Sequence, residues 1–163
     1  MLQTMIAVIL IVISFFLFFA FKKSDLLFPT LHTLFTITVF LVSLIGNFGL
    51  IRLLFILPIF AHLIVFIAAN VSYYPFYKKH TAPARLNALL NISFMTGYLF
   101  LPETDEVYSY ALFGLIKENT DIAYIISGIF LTLNVILLIW QFIHNILTGR
   151  RASDKEVLKE PSD

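Results

Sequence analysis

The sequence predicts an all-α membrane protein, a single bundle of about five transmembrane helices with its N-terminus exported and its C-terminus cytoplasmic. Three observations carry this. Of 163 residues, 60% are hydrophobic and only 13% charged, whereas a soluble domain is about half apolar and about a quarter charged. The apolar residues fall in long runs, and a span needs about 20 of them to cross a hydrocarbon core of about 30 Å. Finally, the basic residues are distributed unevenly between the loops, which sets the orientation.

The first span covers residues 3–21 and ends at Lys22 and Lys23. A secretory signal carries its charge before the apolar run and a small-residue cleavage site after it. Here the charges follow the run, so the segment reads as a retained helix with the Lys pair in the cytoplasm.

Residues 26–77 contain a single fixed charge, Arg52, and are long enough for two crossings, placed at 30–46 and 51–73. The cluster GNFG, Gly46 to Gly49, is the turn between them, because Gly and Asn tolerate the backbone angles a tight turn needs. Arg52 then sits about one helical turn past that turn, at the exported interface. There it is expected to act as an anchor whose side chain reaches the headgroups, since an arginine at mid-bilayer costs at least about 2.5 kcal/mol. The alternative is an inward Arg52 paired with Glu103 or Asp105. The third span closes at VSYYPFYKKH, where tyrosines form an interfacial belt and Pro75 is expected to stop the helix.

A shorter span follows at 86–101, between Arg85 and Pro102. Residues 103–121 hold Glu103, Asp105, Glu106, Glu118 and Asp121 around VYSYALFGLI, which is too short to span and reads as an interfacial helix or a loop plug. The last span is 122–147, with Trp140 and His144 near its inner end. A charged cytoplasmic tail, 150–163, is expected to be mostly disordered. In this arrangement nine of the eleven basic residues are cytoplasmic and two, Arg52 and Lys117, are exported. Omitting the short fourth span would export Arg150 and Arg151, against the positive-inside rule.

Composition also excludes. A net charge of +1 offers no basic face for nucleic acid. Cysteine is absent, which removes disulfides, thiolate catalysis and Cys-based metal sites. His32, His62, His80 and His144 show no close ligand pair, and no nucleophile elbow occurs, so neither metal nor cofactor nor catalytic residue is expected. Both glycosylation patterns, at Asn70 and Asn91, fall in spans and are not expected to be modified. The acids Glu103, Asp105 and Glu106 read as a solvated exported face, with a basic partner or a weakly held divalent cation as the alternative.

Polar residues inside the spans are the candidate functional positions, placed on helix faces by about 100° of rotation per residue. Ser127, Asn134 and Gln141 recur every seven residues on the last span. His32, Thr36 and Ser43 share a face of the second. Arg52 and Asn70 share one on the third, with His62 nearby. Asn87, Asn91 and Tyr98 line up on the fourth. One reading is interhelical hydrogen bonding. The other is a ligand, ion or proton path, which the lack of any Asp or Glu within the spans weakens. The function expected is non-enzymatic, through contact with membrane lipid and with a membrane-protein partner or further copies of the chain, in a bacterial inner membrane. The alternatives are a small oligomeric transporter or channel, and a lipid-modifying enzyme using His32 or His62.

Overall fold

A computed structural model describes Ile9, Ile13 and residues 27–46, 49–77, 81–104, 109–112, 116–117 and 120–157. The first expected span, 3–21, lies outside these apart from Ile9 and Ile13, both helical. Asp105, Glu106 and His80 are outside them too.

The protein is mostly helical. Its helices are α1 (Leu27–Gly46), the short α2 (Leu50–Leu54), α3 (Ile56–Tyr77), α4 (Thr81–Phe100) and α5 (Asp121–Val157). Two stretches, Pro29–Gly46 and Asp121–His144, are long and apolar enough to cross a membrane; Ile56–Ser72 and Leu86–Phe100 are apolar but shorter.

Helix boundaries follow local chemistry. α1 ends at Gly46, where the GNFG cluster begins. α2 and α3 are separated at Phe55, and the cause is Pro58. A proline there has no N–H for the Leu54 carbonyl and its ring crowds that group, so a continuous helix breaks and restarts with Pro58 in its first turn. The backbone N–H of Ile59 picks up the Phe55 carbonyl at 2.9 Å as α3 begins. Pro75 does not stop α3 at once, since the helix runs on to Tyr77. α5 likewise continues through Val157, so the tail expected to be disordered is helical over its first part.

The segment after α4 departs from expectation. In place of an interfacial helix, Glu103–Thr104 (β1), Ser109–Ala111 (β2) and Ile116–Lys117 (β3) form an antiparallel meander in the order β1-β2-β3. Glu103 faces Tyr110 in register, and Tyr110 faces Lys117. Ala111 and Leu112 are both buried; as neighbours they would point to opposite faces if the strand continued, so the strand ends at Ala111 and the chain turns. Leu112 takes a left-handed φ of 51° to do so and packs with Val39, Met95 and Leu99.

α4 is the centre of the bundle. It packs most extensively on α5, then on α1, and α3 lies against both α4 and α5. Ten of its residues from Asn87 to Leu99 are buried. Phe94 stacks on Phe66 at 4.1 Å between ring centroids, while Phe40 meets Tyr98 edge-on at 4.9 Å. At Gly97 a Cβ would lie 2.6 Å from Leu131 Cδ2 and 3.2 Å from the Leu131 backbone nitrogen, so the missing side chain lets α4 and α5 approach closely.

Polarity is distributed inside out. His32, Arg52, Asn70, Asn87, Asn91, Glu103, Asn134 and Gln141 are buried, while Ile45, Leu57, Ile64, Ile122 and Phe142 are among many large apolar side chains left exposed.

Candidate functional site

Three polar clusters thread the bundle from the sheet end to the opposite end, each touching α4. At the sheet end Arg52, on the five-residue α2, is only 1% exposed. Its Nε lies 2.9 Å from Glu103 Oε1. Its Nη1 donates to the Ser43 carbonyl and, at 3.2 Å, to the Ser43 hydroxyl; its Nη2 donates to the carbonyls of Tyr98 at 3.0 Å and Leu101 at 3.3 Å. Ser43 and Tyr98 belong to the last turns of α1 and α4, whose final carbonyls have no intrahelical partner and carry the negative end of the helix dipole. One guanidinium therefore caps two helices.

Glu103 is placed for this by Pro102, which ends α4 and turns the chain back over α2. Its carboxylate accepts the Arg52 backbone N–H at 3.1 Å, closing the start of α2 as an acid does at a helix N-terminus. Gly49 supplies the room: a Cβ there would sit 2.5 Å from Glu103 Oε2 and 3.1 Å from its Cβ. Burial pushes the Glu103 carboxyl above its ordinary range, and the Arg52 charge and the backbone N–H groups of Arg52 and Ile51 oppose that rise. The expected interfacial anchor is thus corrected. Arg52 turns inward, because two bare helix ends and a carboxylate within reach replace the water it would otherwise need.

The middle cluster is built on His62. Its Nδ1 lies 2.9 Å from the Tyr98 hydroxyl and its Nε2 2.9 Å from Asn134 Oδ1. The Asn134 amide donates to the Leu90 carbonyl at 2.8 Å and to Ser93 Oγ at 2.9 Å. Since the Leu90 carbonyl can only accept, the Asn134 orientation is fixed, and its oxygen faces His62. His62 Nε2 is then the donor, and Nδ1 accepts from Tyr98. Ser127, one heptad earlier on α5, donates to the Gly97 carbonyl at 2.8 Å.

At the far end Asn70 Oδ1 is a shared acceptor. Thr33 donates to it at 3.0 Å, Asn91 at 3.3 Å, and Asn87 at closer range. Asn91 also donates to the Asn87 side chain at 3.0 Å, and Gln141 bonds the Ala69 carbonyl at 2.7 Å. His32 and Thr36 are fully buried on α1. Three buried oxygens, Thr36 Oγ1, Asn91 Oδ1 and Gln141 Oε1, have no hydrogen-bond partner among the described residues.

All twelve candidate positions are thus buried except His62, which is half-buried. They do not gather at one point: Tyr98 links the first two clusters, its carbonyl accepting from Arg52 and its hydroxyl bonding His62, while the Asn70 hub gathers Thr33, Asn87 and Asn91. Spacing did not single out Thr33 or Ser93, each of which lies off its helix's polar line. Of the three clustered acids Glu103 is committed to Arg52, and among the described residues no group of three or more His, Asp or Glu is gathered for a metal. Comparison with known proteins found no match to any family model, curated sequence or solved structure.

Proposed function

We propose that this chain is a five-span protein of a bacterial cytoplasmic membrane, N-terminus exported and C-terminus cytoplasmic, that acts without enzymatic chemistry of its own. It works by contact with other membrane proteins, as an accessory subunit or a protective factor of the immunity type. The observation that carries this is where polarity goes. The interior polar groups bond to one another and to backbone carbonyls across α1, α3, α4 and α5, and what the described surface presents outward is mostly apolar side chain. Such a surface suits lipid and neighbouring helices, and a polar interior satisfied within the chain suits hydrocarbon surroundings. The shortness of α4 as an apolar run fits as well, because a central helix is screened from lipid by its neighbours.

A small oligomeric transporter or channel is the second reading. It is favoured by the three buried oxygens left without partners, at Thr36, Asn91 and Gln141, on three different helices. Reconstitution separates the two. Liposomes carrying the purified chain should be no more permeable to protons or monovalent ions than empty ones, and cross-linking in native membranes should join it to a discrete second protein. Flux that rises with the amount of protein and falls in His62→Ala would favour the path instead.

A further inference from the structure

The register between α3 and α5 brings two basic pairs to one level. His62 bonds Asn134 and Ala69 bonds Gln141, each across 72 residues, so the two helices run parallel and keep one offset over two turns. The same offset sets Tyr77, the last residue of α3, level with Gly149 on α5. On each segment the next two residues are basic: Lys78 and Lys79 after Tyr77, Arg150 and Arg151 after Gly149. Chain connectivity keeps the Cα of Lys78 within about 3.8 Å of that of Tyr77, and packed helices lie about 8–10 Å apart. Four cations are thereby gathered at one end of the α3–α5 pair. Asp154, the first acid beyond them on α5, is about one helical turn further on.

That level matches a headgroup plane. Arg150 follows Asp121, the first residue of α5, by 29 residues, about 43 Å along a helix, and a bilayer with its headgroup layers is about 40–45 Å thick. The five-span reading puts Asp121 among the exported headgroups, which places Arg150 among the cytoplasmic ones. Like charges gathered there repel unless anions lie between them, and the cytoplasmic leaflet presents anionic phosphates at that depth. We infer that the cytoplasmic end of the α3–α5 pair selects anionic phospholipid, with a headgroup phosphate between the two basic pairs. This rests on the five-span reading but not on the protein-contact function.

The test uses the full chain reconstituted in phosphatidylcholine with a trace of spin-labelled phosphatidylglycerol or, separately, spin-labelled phosphatidylcholine, and reads the motionally restricted fraction of each. The wild type should hold the anionic probe at least about fivefold more strongly, the effect of one cation at such a surface, and the preference should shrink at high salt. Arg150→Gln with Arg151→Gln should lower the preference severalfold. Lys78→Gln with Lys79→Gln should do the same, because both pairs act on one headgroup. Lys117→Gln, which removes an exported cation, should leave it unchanged, and soluble glycerophosphate should not displace the probe. Equal retention of the two lipids, a preference that survives loss of either pair, an equal loss in Lys117→Gln, or displacement by glycerophosphate would each overturn the inference. The wild-type comparison stands even if a variant misfolds. A topology other than five spans would show in cysteine accessibility, separately from probe retention.

Discussion

Arg52 and Glu103, 51 residues apart in sequence, are ion-paired at 2.9 Å with almost no solvent exposure on either side chain. The pair ties the turn after α1 to the end of α4, and the same arginine closes the C-terminal turns of both helices. Arg52→Lys is therefore not a silent change. An ammonium can keep the Glu103 contact but cannot bond at once to Ser43, Tyr98 and Leu101, which need the planar fork. A loss of about 2–4 kcal/mol is expected, read as thermal stability in detergent; an unchanged melting curve would return Arg52 to the role of anchor.

Arg52→Gln should show a steeper pH dependence than the parent. Burial already pushes the Glu103 carboxyl upward, and removing the arginine leaves that push without its chief opponent. A carboxyl whose folded pKa lies above its unfolded value contributes stability that is present at low pH and lost as pH rises through the folded pKa. The destabilisation of Arg52→Gln should thus grow as pH rises above the ordinary carboxylate range, while Arg52→Gln with Glu103→Gln should lose that slope. A single variant with no slope contradicts the coupling.

Gly49→Ala tests the same junction by space alone. The backbone at Gly49 is extended, with φ of −140°, so alanine is not strained there. Its methyl would occupy the place of the Glu103 carboxylate. The expected cost is about 1–3 kcal/mol, and in a Glu103→Ala background Gly49→Ala should cost less than it does in the parent if steric displacement is the cause.

Within the bundle, Asn134→Leu removes the bonds to His62, Leu90 and Ser93 together. A loss of about 1–2 kcal/mol is expected, the upper range for such contacts between membrane helices. Ile136→Val, on an exposed position of the same helix, should shift stability by under about 0.5 kcal/mol. The reverse ranking would place the Asn134 face outside the bundle.

Much of this was legible from spacing. Heptad recurrence on the last span picked out Ser127, Asn134 and Gln141, three of the buried residues of α5, because a polar side chain on a lipid-facing line has no partner. What spacing missed has physical causes. α4 is enclosed by three helices, so its polar residues need not keep to one line, and Ser93 is buried although it lies off the Asn87–Asn91–Tyr98 face. The fate of Arg52 depended on where Pro102 turned the chain, a tertiary fact about Glu103. The break at Phe55 could have been read from Pro58, and the meander could not be read from two- and three-residue strands whose pairing is set by the bundle beneath them.

Single-cysteine accessibility in intact cells decides whether the inside-out bundle lies across a membrane with its sheet exported, with no native cysteine to interfere. Cysteine at Thr104, beside the Arg52–Glu103 pair, should react with a membrane-impermeant maleimide added outside, and cysteine at Thr81 or Ser153 should react only after the membrane is opened. Labelling of Ser153 from outside, or of Thr104 only after opening, would contradict the five-span account.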